Sequence, residues 1–302
     1  VNNDAIATPS AQPRVVADIG PLRRLSWALR CELRENRSIY VAPLAVAALI
    51  VAGSAIGLVH LPDRVRAAMA LDALHRQAAL ERPYIFASLL LMFTTIVVGV
   101  FYCLDALYGE RRDRSVLFWK SLPVSDTTTV LAKATIPLLV LPVVTFVVTL
   151  ATQLLMLSLA STRLTGTGLS VWSQLSFGRM TLILLYHLVL GHGFWYAPFW
   201  GWLLLVSAWS RRAPFLWASL PPLAVGLVER IAFDTSHFAA LLGRRFMGPG
   251  VLTPHGAPMT MASITPHSPA QLLSSPGFWL GLVLTAAFLA GAVRLRRYRG
   301  PI

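Results

Sequence analysis

Charge is what this sequence is shortest of. Only 13% of its 302 residues are Asp, Glu, Lys or Arg, about half the roughly 25% of a soluble domain. With 56% hydrophobic residues, such a chain escapes precipitation only if its charges collect outside long apolar stretches. They do: residues 40–61, 83–104, 134–160, 181–210, 213–228 and 276–293 contain no charged side chain. A helix rises about 1.5 Å per residue, so about 20 residues cross a bilayer core of about 30 Å. These runs predict an all-α integral membrane protein with six transmembrane helices, over about 40–61, 83–104, 134–160, 181–210, 213–231 and 276–293. Run 181–210 is long for one span, and Gly191, Gly193 and Pro198 predict a bent or broken helix; Pro221–Pro222 interrupt the fifth.

Cysteine is nearly absent. Cys31 and Cys103 both fall on the proposed cytoplasmic side, where the reducing cytosol argues against a disulfide, and two isolated thiols make no metal site. The first 20 residues, VNNDAIATPSAQPRVVADIG, have no apolar core of the kind a cleaved signal carries and read as a flexible tail. No G-x-x-x-x-G-K-[ST] phosphate loop and no G-x-S-x-G occur. No Asp, Glu, Lys or Arg lies within the six charge-free runs that form these spans, where ion-coupled carriers and intramembrane hydrolases keep theirs. The energy for any transport must then come from another chain.

The net charge of +13 suggests nucleic acid until its placement is considered. With both termini cytoplasmic, segments 1–39, 105–133, 211–212 and 294–302 hold 17 of the 26 Lys and Arg. That is the positive-inside bias, with RLRRYRG at the C-terminal end its clearest instance. The basic excess therefore reads as orientation signal and anionic-lipid contact, not nucleic-acid recognition.

Residues 21–37, PLRRLSWALRCELRENR, place Leu22, Leu25, Leu29 and Leu33 on one helical stripe flanked by Arg23, Arg30, Arg34 and Arg37. The pattern predicts a helix lying in the interface, leucines toward acyl chains, with a helix covering the rest of the protein as the alternative. Pro62 is expected to stop the first span, and Pro83 to begin the second. Pro137 and Pro142 are expected to kink the third.

Polar groups able to line a pathway are few: Thr94, Thr95, Thr145, Thr149, Thr152, Gln153, Tyr186 and His187. Interhelical hydrogen bonding is the competing use of each. His187 and His192 are five residues apart, about 140° on an α-helix, which does not suit joint metal ligation. The aromatic group FWYAPFWGW, residues 194–202, fits interfacial anchoring or packing, with an amphipathic cargo as the alternative.

Between the second and third spans stands LYGERRDRSVLFWKSLPVSDTTTVLAKA, residues 107–134. Pro123 divides it, and Ser125 and Asp126 are good N-cap types for a helix running into the third span. This stretch resembles the cytoplasmic loop of the permease subunits of ABC-2-type exporters. There an acidic–basic cluster leads through a short apolar helix to a Leu-x-Pro-Val-Ser-like turn, with a Lys where Lys133 stands. It departs from the commonest pattern at Asp113-Arg114-Ser115.

The resemblance extends over residues 21–300 and implies a multi-pass protein of the bacterial cytoplasmic membrane, working as one of two permease copies. Residues 21–37, with Arg23, Arg30 and Arg34, would be the connecting helix. The coupling helix around Arg111–Leu122 would dock a separate cytosolic ATPase through Glu110, Arg111, Arg112, Asp113, Arg114, Phe118, Trp119 and Lys120. That ATPase, not this chain, would bind ATP and Mg. Without the resemblance, a non-transporting scaffold or sensor that recruits a cytosolic regulator remains the alternative.

Overall fold

The computed structural model describes residues 20–115, 125–168, 170–172, 175–247 and 269–299. The proposed tail through residue 19, and the stretch 116–124 with Phe118, Trp119 and Lys120, lie outside them. Among the described residues the chain is all helix, with no strand. The helices are α1 (Pro21–Glu35), α2 (Ser38–Gly57), α3 (Leu61–Met69), α4 (Ala73–Ala106), α5 (Tyr108–Arg112), α6 (Asp126–Thr135) and α7 (Leu141–Leu164). They continue with α8 (Phe177–Tyr186), α9 (Ala197–Trp209), α10 (Pro214–Phe233), α11 (His237–Met247), α12 (Pro269–Ser274) and α13 (Pro276–Tyr298). Two π-helical segments join α6 to α7 (Ile136–Val140) and α8 toward α9 (His187–Trp195).

Five helical runs are long and apolar enough to cross a bilayer: Ser38–Met69, Ala73–Arg112, Asp126–Leu164, Pro214–Phe233 and Pro276–Tyr298. Phe177–Trp195 and Ala197–Trp209 pass the same test together but are bent by 44°. This is the architecture of a helical multi-pass membrane protein. The bend expected within 181–210 is present, and it takes the form of a π segment, His187–Trp195, followed by a break at Tyr196.

Two proline expectations need correction. Pro62 does not simply end a span; after a short 3-10 turn it opens α3, where its missing N–H costs nothing. Pro83 does not begin the second span. It sits inside α4, because the Ala-rich run before it is already helical from Ala73. Asp72 caps that start, accepting from the His75 backbone N–H at 3.4 Å. Pro137 acts through the π segment at 136–140 instead of a simple kink.

The centre of the bundle is α4 packed against α2, α7 and α9, with α13 laid along α9. Ile39, Tyr102, Cys103, Ile136, Leu141, Trp200 and Leu204 form one buried cluster there. Trp200 is 1% exposed, and Gly99 leaves room for its indole; a Cβ at Gly99 would lie 2.9 Å from that ring. Helix α10 buries no residue against the rest of the chain.

Helix α11 is fixed to α10 by a carboxylate. Glu229 accepts from the backbone N–H groups of His237 (2.7 Å) and Phe238 (2.8 Å) and from Thr235 Oγ1 (2.9 Å). Those amides are orphan donors of the first turn. Glu229→Ala is expected to fray the start of α11, seen as faster amide exchange at His237 and Phe238 with α10 unchanged. Equal exchange in both proteins would mean that the cap is dispensable.

Candidate functional site

The most unusual chemistry lies at one end of the bundle, where α1, α4, α5, α6 and α13 meet. Lys133 stands in the last turn of α6, just before the π segment, and is 3% exposed. Its Nζ donates to Glu32 Oε1 at 2.6 Å and lies 3.0 Å from Glu110 Oε1. Tyr102 donates its hydroxyl to the other Glu32 oxygen at 2.8 Å. Glu110 pairs through Oε2 with Arg296, whose Nε reaches Asp126 at 3.1 Å. Glu32, Glu110 and Arg296 are all buried.

Local structure explains how each side chain gets there. On α1, Ala28 and Glu32 are one turn apart and form the inward face, so the helix can lie close to α6. Ser125 caps α6 as expected, accepting from the Thr128 N–H at 3.1 Å, which places Asp126 in its first turn. Helix α4 ends at Ala106, and the break before α5 is held by Ser207 of α9. Its Oγ accepts from the N–H groups of Leu107 and Tyr108, each at 3.0 Å, and donates to Leu104 O at 2.8 Å. That staple turns Glu110 and Arg111 into the bundle.

Three carboxylates thus face two cations. The Tyr102 hydroxyl and the partial exposure of Asp126 offset the imbalance. Outside the spans, Glu35 on α1 feels the same crowding, since burial and then Glu32 raise its carboxyl pKa above the usual range. A network of this kind is held by mutual compensation, because any one charge left alone in the interior is costly.

Of the proposed docking residues, Glu110 and Arg111 therefore face inward, at 8% and 5% exposure. Arg111 donates to Ser207 O at 3.1 Å and to Ser210 O. Arg112, Asp113 and Arg114 are exposed, and Arg112 Nε holds Asp113 at 2.9 Å. Arg23, Arg30 and Arg34 also face outward. The leucine stripe of α1 needs correction: Leu22 is exposed, but Leu29 and Leu33 pack against the cluster around Ile39 and Tyr102 instead of facing acyl chains. The helix covers its own protein because Glu32 needs Lys133.

The pathway candidates separate into two groups. Thr145, Thr149 and Gln153 are fully buried on α7, facing α4. The Thr95 and Thr145 hydroxyls meet across the helix pair, each also within reach of the carbonyl one turn back; with one proton apiece, one hydroxyl donates to the other, which donates to its own helix carbonyl. Gln153 Nε2 donates to Ser88 Oγ at 2.9 Å and reaches Tyr84 O at 3.4 Å. These are interhelical bonds, the competing use weighed above. Gln153→Leu with Ser88→Ala in a double-mutant cycle should show a coupling of about 0.6 kcal/mol in unfolding, and no coupling would remove the bond from the stability account.

Tyr186 and His187 stand, half-buried, where the second π segment starts. Since π-helical bonds run i→i+5, His187 and His192 lie nearer one face than an α-helix would put them. His192 is 1% exposed, with its ring 5.7 Å from that of Trp200 and 6.2 Å from that of Tyr196. The aromatic group 194–202 is tied down internally: Trp195 Nε1 donates to Arg245 O at 2.8 Å, and Tyr196 donates to Phe246 O at 2.7 Å.

Sequence reading missed the network as a unit. Its signals were present: one acid on the leucine face of α1, and one lysine at the mouth of the third apolar run. Nothing in linear order joins residues 32, 110, 133 and 296. No protein-family model, curated protein or solved structure matches the chain.

Proposed function

We propose that this chain is the membrane-spanning permease subunit of an ATP-driven exporter, with six spans and both termini cytoplasmic. It would dock a separate cytosolic ATPase and pair with a second permease copy. ATP and Mg belong to the partner; this chain carries no catalytic role. The observation that supports the reading most is the Lys133–Glu32 pair. It ties α1, which the resemblance assigns to ATPase contact, to α6, the helix that follows the docking loop, and Lys133 also lies 3.0 Å from Glu110 of α5 at that loop's other end. A push delivered to either element would reach α4 and α13 through Tyr102 and Arg296, without side-chain slack.

The docking surface on this reading comprises Arg112, Asp113 and Arg114 together with Phe118, Trp119 and Lys120 of the stretch outside the described residues. The chain, tagged and purified from its host membrane, is expected to bring a phosphate-loop ATPase with it. Phe118→Ala with Trp119→Ala should reduce that recovery at least tenfold, since buried aromatic anchors dominate such contacts. Recovery of a cytosolic regulator and no ATPase would favour the scaffold instead.

A further inference from the structure

A small cleft of about 10 Å³ opens between α5 and the C-terminal ends of α9 and α13. Its walls are Leu107, Arg111, Ala208, Arg296 and Arg299, so three of its five lining residues are arginines and none is an acid. Arg296 is answered by Glu110 and Asp126. The other two guanidiniums have no carboxylate partner among the described residues. Arg111 meets the carbonyls of Ser207 and Ser210, and Arg299 that of Trp209. Arg111 is 5% exposed, its Nε is buried without a hydrogen-bond partner, and the positive charges of Arg299 and Arg211 act on it.

Carbonyl dipoles satisfy N–H groups but leave the repulsion between these cations in place. An anion would remove it, and guanidinium forks match the oxygens of phosphate in both geometry and charge. The cleft is the size of one water, or one oxygen. A tetrahedral phosphate could therefore insert a single oxygen toward Arg111 and leave the others to Arg299 at the rim. Trp209, Trp217 and Tyr298 stand exposed at the same end, and the Trp209 and Trp217 rings meet edge-on at 4.8 Å. Amphipathic aromatics mark the headgroup level of a bilayer, where basic pockets between helices hold anionic headgroups.

We propose that Arg111, Arg299 and Arg296 form a phosphate site, filled by the headgroup of an anionic lipid whose chains run along the apolar surface beside α9 and α13. This site does not rest on the exporter reading; a scaffold would hold it equally well.

The test uses the full chain in a neutral detergent and a fluorescent phosphatidic acid as probe. Arg299→Gln is expected to weaken probe binding about tenfold, the loss of one charge-assisted contact. Arg297→Gln, exposed and lying between Arg296 and Arg299 in sequence without lining the cleft, should leave it unchanged, and Arg299→Lys should fall between. An unchanged gel-filtration profile confirms folding in each case. Unlabelled phosphatidic acid should displace the probe while diacylglycerol of the same chains does not. Inorganic phosphate separates the sources: failure to compete at millimolar concentration assigns the site to lipid, and competition assigns it to soluble phosphate. Equal weakening by Arg297→Gln and Arg299→Gln, or competition by diacylglycerol, would overturn the phosphate site.

Discussion

Lys133→Met is expected to cost about 3–5 kcal/mol, the range for removing one partner from a buried ion pair. The methionine replaces most of the volume, so the loss is electrostatic. Without the ammonium, Glu32 and Glu110 remain inside, both less than 10% exposed, with one positive side chain, Arg296, for the pair. Two outcomes relieve them: a carboxylate takes up a proton, or α1 swings away and lets Glu32 reach water. Thermal unfolding in detergent should show the loss directly. Adding Glu32→Gln to Lys133→Met should recover a large part of it, because the amide keeps the Tyr102 contact and removes a charge. Arg112→Gln, whose partners Asp113 and Asp105 are exposed, should leave the midpoint where it is. A Lys133→Met protein as stable as wild type would mean that the network carries no stability.

Gly193→Ala should be the most damaging glycine substitution. An added Cβ would stand 2.7 Å from the Leu138 carbonyl oxygen. That atom is backbone and cannot rotate away, unlike the Arg245 tip that a Cβ at Gly281 would meet. Both Gly193 and Leu138 lie in π-helical segments, so the two irregular turns touch at a point where only hydrogen fits. Separating them would strain the contact between α7 and the bent helix, at about 1–3 kcal/mol for forced overpacking. Gly281→Ala, where a flexible side chain can yield, should cost less. The reverse order in thermal unfolding would show that the π segments are not tightly apposed.

The sequence announced the apolar helices because a bilayer demands a run of uncharged residues, and that demand is local. Five runs, the bend in 181–210 and the Ser125 cap could all be read from neighbours in the chain. Pro62 and Pro83 misled because a proline's missing N–H is tolerated both at a helix start and inside a long, well-packed helix. Tertiary context decides between them. The network was hidden for the opposite reason: its five ionised members span residues 32–296, and each looks like an ordinary surface charge at a span end. Glu110 and Arg111 were legible as part of a charged cluster. Their inward direction was not, since it depends on Ser207, about a hundred residues away.

Amide hydrogen exchange over α1 tests most directly whether the buried pair binds this surface helix to the spans. In the wild-type protein the amides of residues 25–35 should be protected nearly as well as those of α6. In Lys133→Met they should lose that protection while α4 keeps its own. Unchanged protection of α1 in the variant would show that its apolar contacts hold it alone, and that no force passes through Lys133 and Glu32.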